Sequence, residues 1–450
     1  MPVFVGNSTV NTAVANSTIT VDQTQNFAYA TSNRNSIRPS LNLDFTRSQT
    51  VDPRITFTRA SSGTYFNSRG VLTTATTNVP RIDYNPITGA CNGLLVEQAS
   101  TNLITYSSNV ATFGTTFSTI TANAATSPDG TTTAALMIPS TDLNNNHFIN
   151  NVWNASVGNS ITFTVSIFAK SAGYQWIRMN TGNTMGGGYL FFDIINGVVG
   201  GYGGVSNPVI QACGNGWFRC SYQYTTPATG TGTIGHQVYG SPSNNNFSNW
   251  SGNGTSGYYF WGAQVEQLTF PTSYIATTAA TATRSADVAS IPIGTLFNPN
   301  AFTVYTENIM ANITPIDYSR ILVINNSSNP ADGIRILTTP TSNPPVRLYV
   351  FIGSTGGFPE SGNSVLLYTA NAIVEGALSV SSNNAYITWN GATPVANNTA
   401  FGTYIPSSFT TLWISAPTSI TGANTYCGWA RRIVLWTQAL SNTELQTLTS

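Results

Sequence analysis

Short runs in which apolar and polar side chains alternate recur along this chain, with turn residues between them. Ile161-Thr-Phe-Thr-Val-Ser-Ile-Phe168 places Ile161, Phe163, Val165 and Ile167 on one face and Thr162, Thr164, Ser166 and Phe168 on the other. That period of two marks a strand in a sheet. Helices need Lys, Glu, Ala and Leu on their wet faces. Here charged residues make up only 7%, against about 25% in an average soluble domain, and Lys170 is the only lysine. Asn, Thr, Ser and Gly take their place, as suits strands joined by Asn/Gly turns. Hydrophobic residues, at 41%, are ample for burial, and 450 residues exceed one ordinary core. The expectation is an all-β chain of tandem β-sandwiches.

Net charge is zero, so nothing neutralises a phosphate backbone and nucleic-acid binding is not expected. No stretch approaches the roughly 20 apolar residues of a membrane span, so no membrane insertion is expected. Met1-Pro-Val-Phe-Val-Gly6 has neither the basic start nor the long apolar run of a secretory signal. The Asn-X-Ser/Thr sequons, Asn7, Asn16, Asn154 and Asn253 among them, then follow from composition rather than marking dense glycosylation. Cys91, Cys213, Cys220 and Cys427 form no zinc pattern. Cys213 and Cys220 flank a turn and could form a local disulfide; buried free thiols are the alternative.

Four segments differ in character. Residues 1–40 are too poor in apolar side chains to hold a core, despite β-prone runs at 18–21 and 27–29. They read as an anchoring arm ordered by a partner. Residues 41–102 crowd together Asp44, Arg47, Asp52, Arg54, Arg59, Arg69, Arg81, Asp83 and Glu97, and suggest a salt-bridged β-rich collar where subunits or domains meet. Residues 103–284 carry evenly spaced strands, as in a jelly roll. Residues 285–450 form a further strand-rich unit. It ends in a helix, where Ser441 and Glu444 make a capping box before Leu445 and Leu448.

Three stretches carry a resemblance. Ile55-Thr-Phe-Thr-Arg-Ala-Ser-Ser-Gly-Thr-Tyr65, Asn78-Val-Pro-Arg-Ile-Asp-Tyr84, Gly93-Leu-Leu-Val-Glu97 and Thr101-Asn-Leu103 resemble the opening block of phage head-spike and tail-fibre proteins. Phe260-Trp-Gly-Ala-Gln-Val-Glu266, Pro271-Thr-Ser-Tyr-Ile275 and Thr283-Arg-Ser-Ala-Asp287 are similar to the closing strand of that group's jelly-roll module. Ala430-Arg-Arg-Ile-Val-Leu-Trp436 and Leu440-Ser-Asn-Thr-Glu-Leu445 resemble the end of laminin-G/concanavalin-like lectin domains, which marks a fold rather than an activity. Asn85 stands where the group has an acidic residue. The resemblance implies a fibre or spike subunit on the virion surface, a homotrimer that contacts other virion proteins through residues 1–40 and binds a host surface glycan. A capsid decoration or head-fibre protein without a ligand is the alternative.

No acid pair suggests catalysis. Glycosidases need two carboxylates about 5–9.5 Å apart. Between 103 and 284 only Asp129, Asp142, Asp193 and Glu266 are available. Asp129 sits in turn chemistry, and Glu266 lies in a strand. Gly186-Gly-Gly188 and Gly200-Gly-Tyr-Gly-Gly204 precede no helix that would make a phosphate loop. Aromatic rings accept the C–H face of a sugar, and amides bond its hydroxyls. Trp153, Tyr202, Tyr239, Phe247 and Trp250 lie outside clear alternation and are the candidate glycan contacts. A loop folded over its own ring is the alternative for Trp250. Asp142, Asn144 and Asn146 form an oxygen-rich loop that could hold Ca²⁺, and no other cofactor is suggested.

Overall fold

A computed structural model describes residues 18–22, 27–31, 38–142, 145–183, 186–229, 232–311, 320–326, 329–340, 346–352, 357–358, 371–381, 384–397, 409–415 and 427–450. The chain is β throughout, and the only α-helix among these residues is Asn442–Leu448. Its N-cap is Ser441, and both halves of the capping box with Glu444 are present. In the N-terminal segment, Thr18–Asp22 pairs antiparallel with Phe27–Thr31.

Two six-stranded sheets face each other to form the jelly roll. The front sheet runs in the order Thr115–Thr116, Phe148–Val157, Gly232–Ser241, Trp176–Asn183, Gly186–Asp193, Val198–Gly203. The back sheet runs Ser118–Ala125, Ala134–Pro139, Gly257–Glu266, Thr162–Ala172, Phe218–Thr225, Ser206–Ala212. Phe163, Val165 and Ile167 enter the core between them, as their alternation requires, with Ile177, Met179, Leu190, Phe192, Ile234 and Val238 opposite. The other face of Thr162–Ala172 is buried too. Phe168 packs there with Trp217, Trp261 and Tyr274, and with Leu72 from the N-terminal side.

The segment 41–102 does not stand alone as a collar. Leu41–Asp44 and Cys91–Val96 pair with Gly428–Trp436, and Thr56–Thr58 pairs with Val288–Pro292. Leu41, Leu43, Phe45, Ile82, Leu94 and Val96 share one core with Phe302, Val304 and Leu435. These strands are too short to build a sandwich alone, so they bury their apolar faces in the C-terminal one. The jelly roll is therefore an insertion. The chain leaves the C-terminal sandwich through Ser100–Asn102 and re-enters through Ala282–Arg284, the two running antiparallel with Asn102 opposite Ala282.

Around this joint, Arg59, Arg81 and Glu97 from the crowded charges are buried inside one chain. Arg59 and Arg81 both pair with Asp287, at 3.0 and 2.5 Å. Arg81 also reaches Glu97 at 2.8 Å, and Arg284 lies 3.5 Å from the same carboxylate. Glu97 accepts from the Ser273 amide and hydroxyl, both at 2.7 Å, and its own amide donates to Asp287. Backbone carbonyls of Thr76, Thr64 and Gln98 take further guanidinium N–H groups. Glu266 is held nearby by Ser100 and Thr272. These residues are the charged members of the stretches that carried the phage resemblance. That signature therefore describes how the jelly roll is mounted.

All four cysteines are free thiols. Cys220 lies in the jelly-roll core and Cys213 in the Trp217–Trp261 cluster on the other side of the sheet, so the local disulfide does not form.

Candidate functional site

The front sheet buries Ile177, Met179, Leu190, Phe192 and Val238, so alternation turns Arg178, Asn180, Tyr189, Phe191, Gln237 and Tyr239 to its outer face. Register sets them in two rows. Phe148 is opposite Tyr239, Tyr239 opposite Arg178, and Arg178 opposite Phe191. Beside them, Gln237 is opposite Asn180 and Asn180 opposite Tyr189. A face that usually carries short polar side chains here carries rings, amides and one cation.

Contacts knit the patch together. Phe148 and Tyr239 stack with centroids 4.6 Å apart, and the Tyr239 hydroxyl donates to Gln237 at 2.8 Å. The Arg178 guanidinium lies 4.0 Å from the Tyr239 ring centre and 5.5 Å from that of Phe247. Phe247, 49% exposed, stands edge-on to Tyr189 and Phe191. Its loop rests on the glycines of the edge strand. The Gly201 amide donates to Asn244 at 2.9 Å, and a Cβ on Gly201 would strike Asn245. Burial raises the Tyr239 pKa against the opposing effect of Arg178 and lowers that of Arg178. Such a surface can stack on the C–H face of a pyranose and bond its hydroxyls through Asn180 and Gln237.

The acids of the jelly roll are engaged elsewhere. Asp129 accepts from Ser127 and Thr131, Asp142 from Ser140, and Asp193 from the amides of Ile195 and Asn196.

Of the aromatic residues singled out in the sequence, the structure brings Tyr239 and Phe247 together. Tyr202 is 51% exposed but lies opposite Leu190, a core residue, and so leaves the edge strand on the other side from the patch. Trp153 points inward. It stacks on buried His236 at 5.5 Å and packs against Phe163, because it lies four residues beyond buried Ile149 and so on the same face of the strand. Trp250 is half-buried between His147 and Tyr174, at 4.8 and 5.1 Å, and its carbonyl is bonded by His147. The loop is folded over its own ring. Asn146 donates to Asn249, Asn144 lies outside the described residues, and Asp142 is the only carboxylate of that loop. Among the described residues no three His, Cys, Asp or Glu side chains gather where a metal could sit. Phe148, Arg178, Asn180 and Gln237 escaped the sequence reading. The run Trp176-Ile-Arg-Met-Asn180 shows that Arg178 and Asn180 share a face, but not which strands flank them.

A cleft of about 600 Å³ opens where the back sheet meets the C-terminal sandwich. Tyr65, Tyr84, Trp429, Asp83 and Arg219 are among its walls. Asp83 accepts from the Phe66 amide, Asn92 and the Trp429 indole, at 2.7, 3.0 and 2.8 Å. Burial outweighs those bonds and pushes its carboxyl up to about 6.

The sequence matches no protein-family profile and no curated protein. Among solved structures, domain 4 of an extracellular arabinanase from Geobacillus stearothermophilus, in complex with arabinotriose, aligns at 13% identity and TM-score 0.28. The match covers 41% of this chain and 84% of that one. A sialidase CBM40 from Ruminococcus gnavus bound to sialyllactose aligns at 15% identity and TM-score 0.27, over 35% and 86% of the two chains. The extracellular region of zebrafish Gpr126 aligns at 14% identity and TM-score 0.27, over 69% of this chain and 38% of that one. Scores this low carry no functional inference.

Proposed function

We propose that this chain is a fibre or spike subunit on a phage particle that binds a host surface glycan, without turnover, through the outer face of its front sheet. The patch of Phe148, Tyr239, Phe247, Asn180 and Gln237 carries this reading, with rings and amides convergent on one face and the nearby acids committed to turns. Each site is weak, of the order of millimolar or about −4 kcal/mol. Display as a homotrimer would raise avidity by about 10²–10⁴.

Phe247→Ala is expected to lower retention on the cognate glycan at least fivefold, which corresponds to the ~1 kcal/mol of an interface anchor. Its melting temperature should hardly change, because the ring is half exposed. Tyr202→Ala, on the other side of the edge strand, should behave as wild type. Glycan arrays and thermal scans on the same proteins test this. Release of oligosaccharide by the wild-type protein would refute binding without turnover. Failure to bind any glycan would leave a capsid decoration without ligand.

Residues 1–40 are proposed as the contact to other virion proteins. Deleting them should leave a folded protein that no longer enters particles; normal incorporation would overturn that role.

A further inference from the structure

We infer that the front-sheet site selects an acidic glycan, one whose sugar carboxylate docks on Arg178. This rests on the glycan reading above and names the ligand's class.

The jelly roll has two arginines between Trp176 and Thr225, and they are treated differently. Arg219 donates to the Thr272 carbonyl and the Ser166 hydroxyl. Arg178 is only 6% exposed, yet no carboxylate among the described residues pairs with it; its Nε, like that of Arg219, has no hydrogen-bond partner. The Oδ1 of its neighbour Asn180 is likewise buried and unpartnered. Asp193 projects from the same sheet face, but Gln175, Asn196 and the amides of Ile195 and Asn196 occupy it. At the joint, Arg59, Arg81 and Arg284 share Asp287 and Glu97. Every one of those cations meets an anion within the chain; Arg178 meets rings instead.

A desolvated guanidinium held by ring faces and a neutral phenol, with no carboxylate beside it, is costly to bury, and an incoming anion removes that cost. Tyr239 and Phe247 bracket it, so a ligand reaches it at the rim beside the exposed ring. A carboxylate suits this place better than a hydroxyl, because its two oxygens match the planar fork of N–H donors. The sugar that bears it would lie on Phe247 or Tyr239, within reach of Asn180.

The test uses the full chain and three probes: an oligosaccharide containing a uronic acid, its carboxyl-reduced neutral counterpart, and a sulfated form of that neutral chain. The uronate is expected to bind at least tenfold more tightly than the other two, with affinity falling as salt rises. Arg178→Gln should erase that preference without weakening the neutral probe. Arg178→Lys should not restore it, since a point charge lacks the fork. If Arg178→Gln fails to fold, the wild-type protein carries the test: the methyl ester of the uronate probe, which keeps the sugar and loses the anion, should bind as weakly as the neutral probe, and binding as tight as the free acid would overturn the proposal. Equal binding of all three probes, each lost in Phe247→Ala, would overturn acid selectivity and leave the glycan reading intact. Sulfate binding as tightly as uronate would overturn the carboxylate assignment. Binding of none would overturn the glycan reading itself.

Discussion

Replacing Asp287 with alanine is expected to destabilise the protein by about 3–5 kcal/mol, the cost of breaking a buried ion pair from one side. Its two oxygens hold Arg59 and Arg81, and it also accepts the Glu97 amide. Removing them leaves three guanidinium groups, those of Arg59, Arg81 and Arg284, with Glu97 as their one remaining paired carboxylate in a site closed to water. The residue lies just past Ala282–Arg284, one of the two strands that join the inserted jelly roll to its host. Loss of stability should therefore appear in both sandwiches at once. Urea unfolding followed by tryptophan fluorescence and by circular dichroism would check this. Two separate transitions, with only one of them moved by the substitution, would show that the joint does not couple the two units.

Acidification is expected to act on two buried groups in opposite senses before it weakens the fold. The carboxyl of Asp83 sits near 6 instead of 3.8, because burial outweighs its hydrogen bonds. The native state thus binds a proton there more tightly than the unfolded chain does, and its contribution to stability rises as pH falls from about 6 to about 4. The gain is of the order of 3 kcal/mol. Glu97 is the opposite case. Burial alone would raise its pKa, but Arg284, Arg81 and the bonds from Ser273 pull it down to about 2 from 4.5. Its contribution, again roughly 3 kcal/mol, is complete above pH 4.5 and is lost as pH falls toward 2. Asp44 and Asp193, both lowered, act with Glu97, and Glu375, raised, acts with Asp83. Buried His236, lowered by desolvation from 6.5 to about 3, binds a proton less readily folded than unfolded, so it loses stability as pH falls from 6.5 and offsets the Asp83 gain. The wild-type profile is therefore expected to be nearly flat between pH 6 and 4 and to fall below that. Asp83→Asn should uncover the His236 loss as a decline between 6 and 4 and leave the limb below it. Identical wild-type and Asp83→Asn profiles over that window would refute the assignment.

Local pattern made part of this legible. The alternation of 161–168 located a core strand, and Ser441 with Glu444 located the helix. Clustered charge announced a joint, although between two units of one chain. What local pattern could not carry was pairing at long range. Leu41–Asp44 meets Gly428–Trp436 across most of the sequence, and nothing in either strand names the other. Trp153 misled for a related reason, since its sequence neighbours Asn150, Asn151 and Asn154 are polar and only its place opposite buried His236 shows which face it takes. Tyr239 and Phe247 were visible as rings in polar surroundings. Arg178 became visible only once the register placed it between them.

The way the jelly roll is spliced into its host has a consequence for how such a chain can change. Entry and exit occupy facing positions on two paired strands, Asn102 beside Ala282 and Ser100 beside Arg284. The ends of the inserted piece are thus about 5 Å apart, the spacing of neighbouring strands. Any module whose first and last residues are equally close could occupy the same socket without moving the strands on either side. The inserted sandwich can be traded as a cassette, while the half that carries the N-terminal segment keeps its sequence and its shape.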